Sequence, residues 1–396
     1  MQSPHFGKSV FKDIGKLSFD YVPEELPHRE KEIQRLIGTF TALLFGNVSQ
    51  NVLITGSVGT GKTVLAKYLC SSFQKFSREN GKNVQYVEVN CRRRPTENAV
   101  ILKILNHFAP NFPDRGFSIT EMLESLQKHI VKEKAQLIII LDEFDVLIKK
   151  SKSDLIYALT RFDAESSVPK GSISLIAISQ KNVLDLLDSA TLSTFKRTNV
   201  IELNKYSQPE LCDIIQKRVE LALHPGVADN DISSLISEAA SEYGDARFAI
   251  ELLEKSGMLA DEEGKDIMTP EHVRRARAET HSTITEEKIR ELDINKKLVL
   301  LAISRSLKNK AYTTTGEAEK AYELVCEEYN TEKRGHTQFW KYITDLDAVG
   351  IISAKESGKG IAGHTTVISI LDIPVLNLER NLVEMLKEGK GEQCGI

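Results

Sequence analysis

The chain has 396 residues, of which 41% are hydrophobic and 27% are charged, and its formal net charge is −4. These values are ordinary for a globular chain of two or three domains, and the net charge excludes a general attraction to nucleic acid, so that any such contact depends on local patches. No apolar run approaches the roughly 18 residues of a membrane span, and the first residues lack the apolar core of a signal peptide. Five cysteines without paired spacing predict reduced thiols. We therefore expect a cytoplasmic protein that is not bound to a membrane.

The first helix is predicted to begin after Pro27, which fixes a turn, and residues 1–20 are expected to lie extended against the first domain. His28 and Arg29 stand at the start of this helix. The residues alone leave open whether this pair contacts a ligand or simply begins an exposed helix.

Residues 51–69 carry the clearest motif in the chain. The apolar run Val52–Ile54 predicts a buried strand, Gly56–Thr63 matches G-x-x-x-x-G-K-[ST], and apolar residues then recur at helical spacing. In this order the glycines let backbone N–H groups surround a phosphate at a helix N-terminus. Lys62 is expected to contact the β- and γ-phosphates of ATP, or the β-phosphate of ADP, and the hydroxyl of Thr63 is expected to bind Mg²⁺. The residues predicted to bind the nucleotide here are Gly56, Gly59, Thr60, Gly61, Lys62, Thr63 and Val64.

Three arginines and a turn-rich insertion follow the second predicted strand. Arg92–Arg94 could contact phosphate backbone or lie in a solvated loop. The insertion, about residues 109–121, contains exposed aromatic residues and Arg115. Ser118 and Glu121 at its end form a capping box that predicts the start of another helix.

The apolar run 136–141 ends in Asp142 and Glu143. Because the carboxyl ends of parallel strands meet at one edge of a sheet, both acids are predicted to lie beside the glycine-rich loop. Asp142 is expected to join the Mg²⁺ shell, and Glu143 to polarise the attacking water.

Two further apolar runs, 172–179 and 198–203, complete the predicted sheet. Gln180 follows the first of them and is expected to face the γ-phosphate. The alternation of strands and helices predicts a three-layer α/β domain that ends near residue 205.

The chain is predicted to be entirely helical from Tyr206 to about Thr280, and a small helical bundle after such a sheet is most simply a lid. Arg218 lies on its first helix, and Arg247 begins its third. Arg247 could contact the γ-phosphate or form a surface salt bridge.

The last unit, residues 284–396, combines three predicted helices with two strands around a glycine-rich tip. This pattern is typical of a winged helix, whose third helix usually enters the major groove of DNA. That helix is predicted over residues 337–348. The near-neutral balance of charge in this unit supports DNA binding only weakly.

Together these segments resemble the archaeal initiators of DNA replication, which are related to the large subunit of the eukaryotic origin recognition complex and to its helicase-loading cofactor. The resemblance covers nearly the whole chain, and PHRE, GDAR and the appended winged helix are its more specific parts, whereas the P-loop and the acid strand are generic to AAA+ ATPases. It rests on YVPEELPHRE, GSVGTGKT, the VNCR stretch, PDRGFSITEM, LIIILDEFD, GDAR-FAIELL, TPEHV-RRA and the final wing. It implies an α/β AAA+ P-loop domain (1–205), a helical lid (206–283) and a C-terminal winged-helix domain (284–396).

The resemblance also implies roles for residues that the patterns left open. Pro27, His28 and Arg29 resemble the adenine-proximal box, and Tyr206 and Arg218 resemble nucleotide-contacting positions at the lid junction. Arg247 resembles the second sensor, which places it with Glu143 and Gln180 in the catalytic set. Arg115 lies in a segment that resembles the one with which initiators touch DNA from the ATPase side. The DNA-contacting residues implied in the last unit are Arg334, Gln338, Lys341, Lys359, Gly360, Gly363 and His364.

Three departures from the family pattern stand out. Gln180 replaces the usual asparagine, and residues 187–193 replace the usual Asp-Pro-Arg, so that the arginine acting in trans is missing. The wing has Gly363-His364-Thr365 in place of Gly-Arg-Thr. Because the loss of such an arginine can cost on the order of 10³-fold in turnover, we expect a divergent paralogue with weak ATP hydrolysis.

The leading hypothesis is an ATP-switched initiator that binds double-stranded origin DNA, acts with a paralogous initiator and helps to load the replicative helicase in the nucleoid. An alternative is an accessory DNA-binding module, locked on its nucleotide, with negligible turnover. A second alternative is a P-loop transcriptional regulator with a winged helix. Turnover of the purified protein separates the first two, and genome occupancy at origins or promoters separates both from the third.

Overall fold

The computed structural model describes residues 9–150, 154–163, 169–187, 189–195, 199–280, 286–356 and 366–391. The chain divides into two compact units. The nucleotide unit comprises Phe19–Glu210 and Gly244–Ala246, and the helical unit comprises Met1–Ser18, Leu211–Tyr243 and Arg247–Ile396.

The nucleotide unit alternates strands and helices, as the sequence predicts. Its helices are α1 (Glu30–Gly46), α2 (Lys62–Glu79), α3 (Glu97–Phe108), α4 (Ile119–Glu133), α5 (Phe144–Lys150), α6 (Asp154–Thr160) and α7 (Ser189–Thr194). Its strands are β1 (Asn51–Gly56), β2 (Asn83–Asn90), β3 (Ala135–Asp142), β4 (Ile173–Ser179) and β5 (Val200–Leu203). The capping box predicted at Ser118 and Glu121 is confirmed at the start of α4.

The five strands form one parallel sheet in the order β2-β3-β4-β1-β5. Successive residues of a strand point to opposite faces, so that Leu53 joins the apolar core on one side and Val52 and Ile54 join the core on the other. Helices cover both faces, which confirms the three-layer α/β architecture.

The carboxyl ends of the strands meet at one edge of this sheet. Thr55 of β1 is in register with Ser179 of β4, and Asn90 of β2 is in register with Asp142 of β3. The loops that follow these strands therefore converge at this edge, which is where ligands bind in open parallel sheets.

The helical unit contains the lid helices and the winged helix. Its helices are α8 (Gln208–Ala222), α9 (Asn230–Ser241), α10 (Ala246–Glu262), α11 (Pro270–Thr280), α12 (Glu286–Arg290), α13 (Ile294–Ser306), α14 (Thr315–Glu328), α15 (His336–Ala348) and α16 (Val375–Gly391). Its strands are β6 (Thr313–Thr314), β7 (Ser353–Glu356) and β8 (Thr366–Ser369). Within the described ranges, no helix combines the length and apolar character needed to cross a membrane.

The winged helix is confirmed, with two elements that the sequence pattern did not predict. Its sheet has three antiparallel strands in the order β6-β8-β7, because the two-residue strand β6 pairs with β8. A strand of two residues is too short to show periodicity. The C-terminal helix α16 packs against α13 and buries Leu378 and Leu382 in the core of the winged helix.

Residues 9–18 pack on the lid helices α8 and α10. The backbone N–H groups of Lys12 and Asp13 donate to the carbonyl of Ala222, and Ser9 and Val10 donate to the carboxylate of Asp261. This placement differs from the expectation that the segment lies against the nucleotide-binding domain. Such long-range hydrogen bonds leave no local pattern in the sequence.

Candidate functional site

The loop between β1 and α2 has the backbone geometry of a phosphate-binding loop. Gly59 and Gly61 have φ angles of 73° and 87°, which favour glycine. The amine of Lys62 donates hydrogen bonds to the carbonyls of Gly56 at 2.8 Å and Ser57 at 2.7 Å. Lys62 is also the first residue of α2, so the loop and its amine lie at a helix N-terminus and suit an anionic phosphate.

Thr63 and Asp142 provide two oxygens that fit Mg²⁺. The hydroxyl of Thr63 donates to Oδ2 of Asp142 at 2.9 Å, so that the two oxygens are adjacent at the edge of the sheet. The other carboxylate oxygen accepts the N–H of Glu143 at 2.9 Å, which fixes the orientation of the side chain. Hydroxyl and carboxylate oxygens beside a phosphate loop are the ligands that Mg²⁺ takes in proteins, so these residues would hold the ion that accompanies a nucleotide.

Glu143 is held by two neighbours from the end of β2. Its Oε1 accepts a hydrogen bond from Nδ2 of Asn90 at 3.4 Å, and its Oε2 is paired with Nε of Arg92. Its backbone has a φ of 54°, an uncommon value for a residue other than glycine. The sequence did not identify Asn90 and left Arg92 open between DNA contact and a solvated loop. The structure places both on the acid that is expected to activate water.

Cys91 lies between these two residues and is fully buried. Burial, together with the nearby charge of Asp142, raises the pKa of its thiol to about 12. The thiol therefore stays protonated near neutral pH and contributes packing rather than reactivity.

We predict that Arg92→Ala raises the turnover of ATP by about two- to fivefold with an unchanged KM, because it removes one of the two partners that hold Glu143. The effect is small since Arg92 is 68% exposed and the ion pair is screened by solvent. Steady-state hydrolysis, with Arg93→Ala as the matched control, measures the effect. Unchanged or lower turnover in the Arg92 variant would contradict the inference.

Arg29 ties α1 to the phosphate loop and to the end of β5. The residue is 5% exposed, and its guanidinium donates to the carbonyls of Thr60 at 3.1 Å and Asn204 at 2.9 Å. The same group stacks over the ring of Tyr206, 3.9 Å from the centroid. The structure thus brings together Arg29 and Tyr206, two residues that were expected to contact nucleotide.

The segment Gly244–Ala246 also contacts the phosphate loop. The N–H of Ala246 donates to the carbonyl of Gly59 at 3.1 Å, and the carboxylate of Asp245 packs so closely on Gly59 that a side chain there would overlap it. The GDAR motif carried the resemblance, but Asp245 itself had no predicted role. Arg247 follows directly, as the second residue of α10.

Arg218 and Gln180 have different surroundings. Arg218 is buried on α8 and donates to the carbonyl of Lys16 at 2.6 Å, so that its charge lies within the helical unit. Gln180 is exposed immediately after β4. Contacts of either residue with nucleotide remain predictions, as do those of Pro27, His28, Val64 and Arg247.

The two segments expected to touch DNA are exposed. Arg115 lies in the turn before α4, where the rings of Phe112 and Phe117 pack 4.7 Å apart. Lys341 is exposed on α15, and Arg334 is exposed just before that helix. The wing-tip residues Lys359, Gly360, Gly363 and His364 lie outside the described residues.

Acidic side chains of α14 face the start of α15. Lys333 is paired with Glu323 and lies 3.9 Å from Glu319, and Nδ1 of His336 lies 2.8 Å from Glu319. The hydrogen bond to Glu323 raises the pKa of Lys333 above its ordinary value. One cationic group, Lys333, and the ring of His336 are therefore already engaged by carboxylates within the winged helix.

A five-stranded parallel sheet with a P-loop, acids on the adjacent strand, a helical lid and a winged helix define the class as a AAA+ protein with an appended winged helix. Residues 48–187 match the AAA domain family, residues 212–278 the Cdc6 AAA+ ATPase-type lid domain, and residues 287–375 the CDC6 C-terminal winged helix domain. The chain is 34% identical to ORC1-type DNA replication protein 2 of Sulfurisphaera tokodaii over 95% of its own length and 93% of that protein. It therefore belongs to the Cdc6/ORC1-type family of archaeal replication initiators, as the sequence resemblance predicted.

Solved structures agree with this assignment. The crystal structure of Cdc6p from Pyrobaculum aerophilum is 30% identical to this chain and superposes with a TM-score of 0.82. The match covers 96% of this chain and 100% of that structure. The Aeropyrum pernix ORC1 protein in complex with DNA is 31% identical, covers 97% of this chain with 98% of its own, and has a TM-score of 0.63. Membership of the AAA+ class implies nucleotide binding, usually with Mg²⁺.

Proposed function

We propose that this initiator binds ATP and Mg²⁺ at the P-loop and binds double-stranded origin DNA through both the 109–121 insertion and the winged helix. Two features that occur together in one chain support it best. The phosphate loop is formed, with the hydroxyl of Thr63 bonded to Asp142, and helix α15 of the winged helix exposes Lys341. The likeness to an ORC1 protein solved with DNA supports the same assignment. Cooperation with a paralogous initiator and help in loading the replicative helicase follow from the family role.

Footprinting of the full-length protein on candidate origin fragments, with ATP or ADP and with or without a paralogue, tests this proposal. The expected result is protection of a defined origin segment that depends on the bound nucleotide. Equal affinity for origin and random duplexes at physiological salt in both nucleotide states contradicts it.

A second candidate is an accessory initiator that remains locked on its nucleotide. The pairing of Glu143 with Asn90 and Arg92 favours it, because an acid held by these partners is not directed at a water. Gln180 and the absence of the Asp-Pro-Arg sequence point the same way. We expect purified protein to retain ADP, and brisk hydrolysis on the order of 1 s⁻¹ or more by the protein alone would exclude this candidate.

We predict that Arg115→Ala weakens origin binding by about three- to tenfold. The dependence of the binding constant on salt concentration should also become less steep, by the amount expected for about one lost phosphate contact. Two DNA contacts on one duplex, one from the insertion and one from the winged helix, raise affinity through effective concentration. The loss of one contact should therefore lower the affinity of the whole protein. Lys132→Ala on α4 removes the same charge from another exposed position and serves as the control. Equal affinities of the two variants would contradict a DNA contact by the insertion.

We predict that the double variant Glu319→Gln, Glu323→Gln binds duplex DNA about tenfold more tightly than wild type and with a steeper salt dependence. The substitutions release Lys333 and His336 and remove two negative charges from the surface that meets phosphate. The control is Glu327→Gln, an exposed carboxylate on the same helix. If the double variant tightened binding by no more than twice the free-energy gain of the Glu327 control, the release of Lys333 and His336 would have no role in DNA affinity.

A further inference from the structure

The helix α11, which contains the TPEHV-RRA motif, carries a charged face that is buried against the winged helix. Glu271, Arg274 and Arg277 are spaced three residues apart and therefore lie on one side of the helix. Arg274 has no exposed surface, and Arg277 is only 4% exposed. The motif carried the family resemblance, and the hydrogen bonds given above for the phosphate loop do not involve it.

Arg274 joins two separate segments of the winged helix. Its Nε donates to the carbonyl of Ile370, at the end of β8, at 2.9 Å. Its other nitrogens donate to the carbonyls of Leu307, Lys310 and Ala311, after α13, at 3.4, 2.8 and 3.3 Å. A planar guanidinium that bonds carbonyls of two different segments fixes both the position and the rotation of those segments relative to α11.

The neighbours of Arg274 on the same face extend this contact. Glu271 accepts the N–H of Val375, the first residue of α16, at 3.2 Å. Arg277 donates to the carbonyl of Ala239 on α9 at 2.5 Å and is paired with the buried Asp372. One lid helix therefore binds the ends of α13, β8 and α16 through polar groups that are removed from water.

Glu238 on α9 makes a second junction, at the base of the wing. The residue is 5% exposed, and its two oxygens accept the hydroxyls of Ser353 at 2.8 Å and Ser369 at 3.2 Å, a pair of residues in register across β7 and β8. Lys355, two residues along β7, lies 2.9 Å from the same carboxylate. One lid carboxylate thus holds both strands of the wing.

Such a junction resists sliding in a way that an apolar one does not. Directional bonds lose their geometry after a small shift, and a buried charge that loses its partner is strongly destabilised. We propose that Glu238 and Arg274 are positioning residues that fix the winged helix on the lid, so that α10, which begins beside Arg247, and the DNA-facing helix α15 move as parts of one rigid body. Through this junction a change at the nucleotide-sensing end of α10 reaches the DNA-binding surface.

The distance between lid and winged helix tests the junction directly. Spin labels introduced as unnatural amino acids at Glu251 on α10 and Leu324 on α14, both exposed, report this distance in the full-length protein. Wild type is expected to give one narrow distribution with ATP and with ADP, and Glu238→Ala to broaden it by about twofold or more. Glu238→Gln should restore much of the narrow distribution, because its amide oxygen can accept one serine hydroxyl and its amide nitrogen can donate to the oxygen of the other serine. A broad distribution in wild type, or an unchanged one in Glu238→Ala, overturns the proposal.

The control and a second variant keep this test decisive. Glu262→Ala, at an exposed position near the end of α10, should leave the distribution unchanged. If Glu238→Ala does not fold, the double variant Ser353→Ala, Ser369→Ala removes the two hydroxyl donors from the wing and leaves the lid intact. A distribution as narrow as that of wild type in the double variant overturns the proposal.

The consequence for DNA rests on the proposed function and has its own readout. The measured quantity is the ratio of the affinity for origin DNA with ATP to the affinity with ADP. Where this ratio exceeds one in wild type, it should be about fivefold or more smaller in Glu238→Ala, while the affinity of the variant for ATP is unchanged. A purely stabilising residue would not change this ratio in the folded fraction. A ratio equal to that of wild type overturns the positioning role. Wild type without any nucleotide dependence contradicts the proposed ATP switch instead, and the distance measurement then decides the junction alone.

Discussion

Lys62→Ala is expected to weaken ATP binding by about 100-fold, on the order of 3 kcal/mol. Gly56–Thr63 contains one formally charged residue, and its amine lies within hydrogen-bond distance of the loop carbonyls at Gly56 and Ser57. The substitution therefore removes the cation that is expected to contact the phosphates, while the glycine backbone and the helix N-terminus remain and should supply the residual affinity.

Titration of ATP and ADP by calorimetry or with a fluorescent analogue measures this loss. Lys75→Ala removes the same charge from an exposed position on α2, and its affinity should equal that of wild type. Thermal unfolding without nucleotide shows whether the Lys62 variant is folded. ATP affinity within about threefold of wild type, or less than roughly 1 kcal/mol, would show that the loop does not bind phosphate in the way its motif indicates.

Arg29→Ala is expected to lower the free energy of unfolding by about 3–4 kcal/mol and to weaken nucleotide binding as well. The guanidinium is buried and bonds the carbonyls of Thr60 and Asn204, each a charge-assisted hydrogen bond. Its removal leaves these carbonyls without that donor and takes the stacked partner from the ring of Tyr206. Because Thr60 belongs to the phosphate loop, the loss of stability is expected to spread to the nucleotide site.

Chemical denaturation followed by circular dichroism, and ATP titration under native conditions, measure both effects. Arg78→Ala, at an exposed position near the end of α2, is the control and should change stability by less than about 0.5 kcal/mol. Arg29→Lys keeps the charge but not the fork of donors and should recover only part of the loss. A stability within about 1 kcal/mol of wild type in Arg29→Ala would show that this arginine does not hold the loop in place.

The two predictions distinguish a residue that contacts the nucleotide from one that stabilises the loop around it. Lys62 is expected to act mainly on the nucleotide itself; its half-buried amine also bonds two loop carbonyls, so its loss should lower the free energy of unfolding, but by less than the loss of the buried Arg29. Arg29 is expected to act through the loop, so stability and affinity should fall together. If both variants lost affinity without any change in stability, Arg29 would instead be a direct nucleotide contact, as its place in the PHRE box implied.

Local patterns in the sequence were sufficient to predict the class of this protein. The motif Gly56–Thr63, the acids after β3 and the alternation of apolar runs predict a parallel sheet with a phosphate site, because each depends on neighbours within a few residues. The winged helix was predictable for the same reason, apart from β6, which is too short for a pattern, and the C-terminal helix α16, which was not predicted. The family assignment followed from segments such as PHRE and GDAR that are read along the chain.

Only the tertiary structure decided which partners these residues have. The contacts that define the site join positions that are far apart along the chain. They are the bonds of Asn90 and Arg92 to Glu143, of Arg29 to Thr60 and Tyr206, and the packing of Asp245 against Gly59. The buried charges at Glu238 and Arg274 are the clearest case, since a glutamate and an arginine in amphipathic helices look like solvent-facing residues in the sequence. The order of strands and the packing of helices set these contacts, and neither is encoded in the periodicity of a single segment.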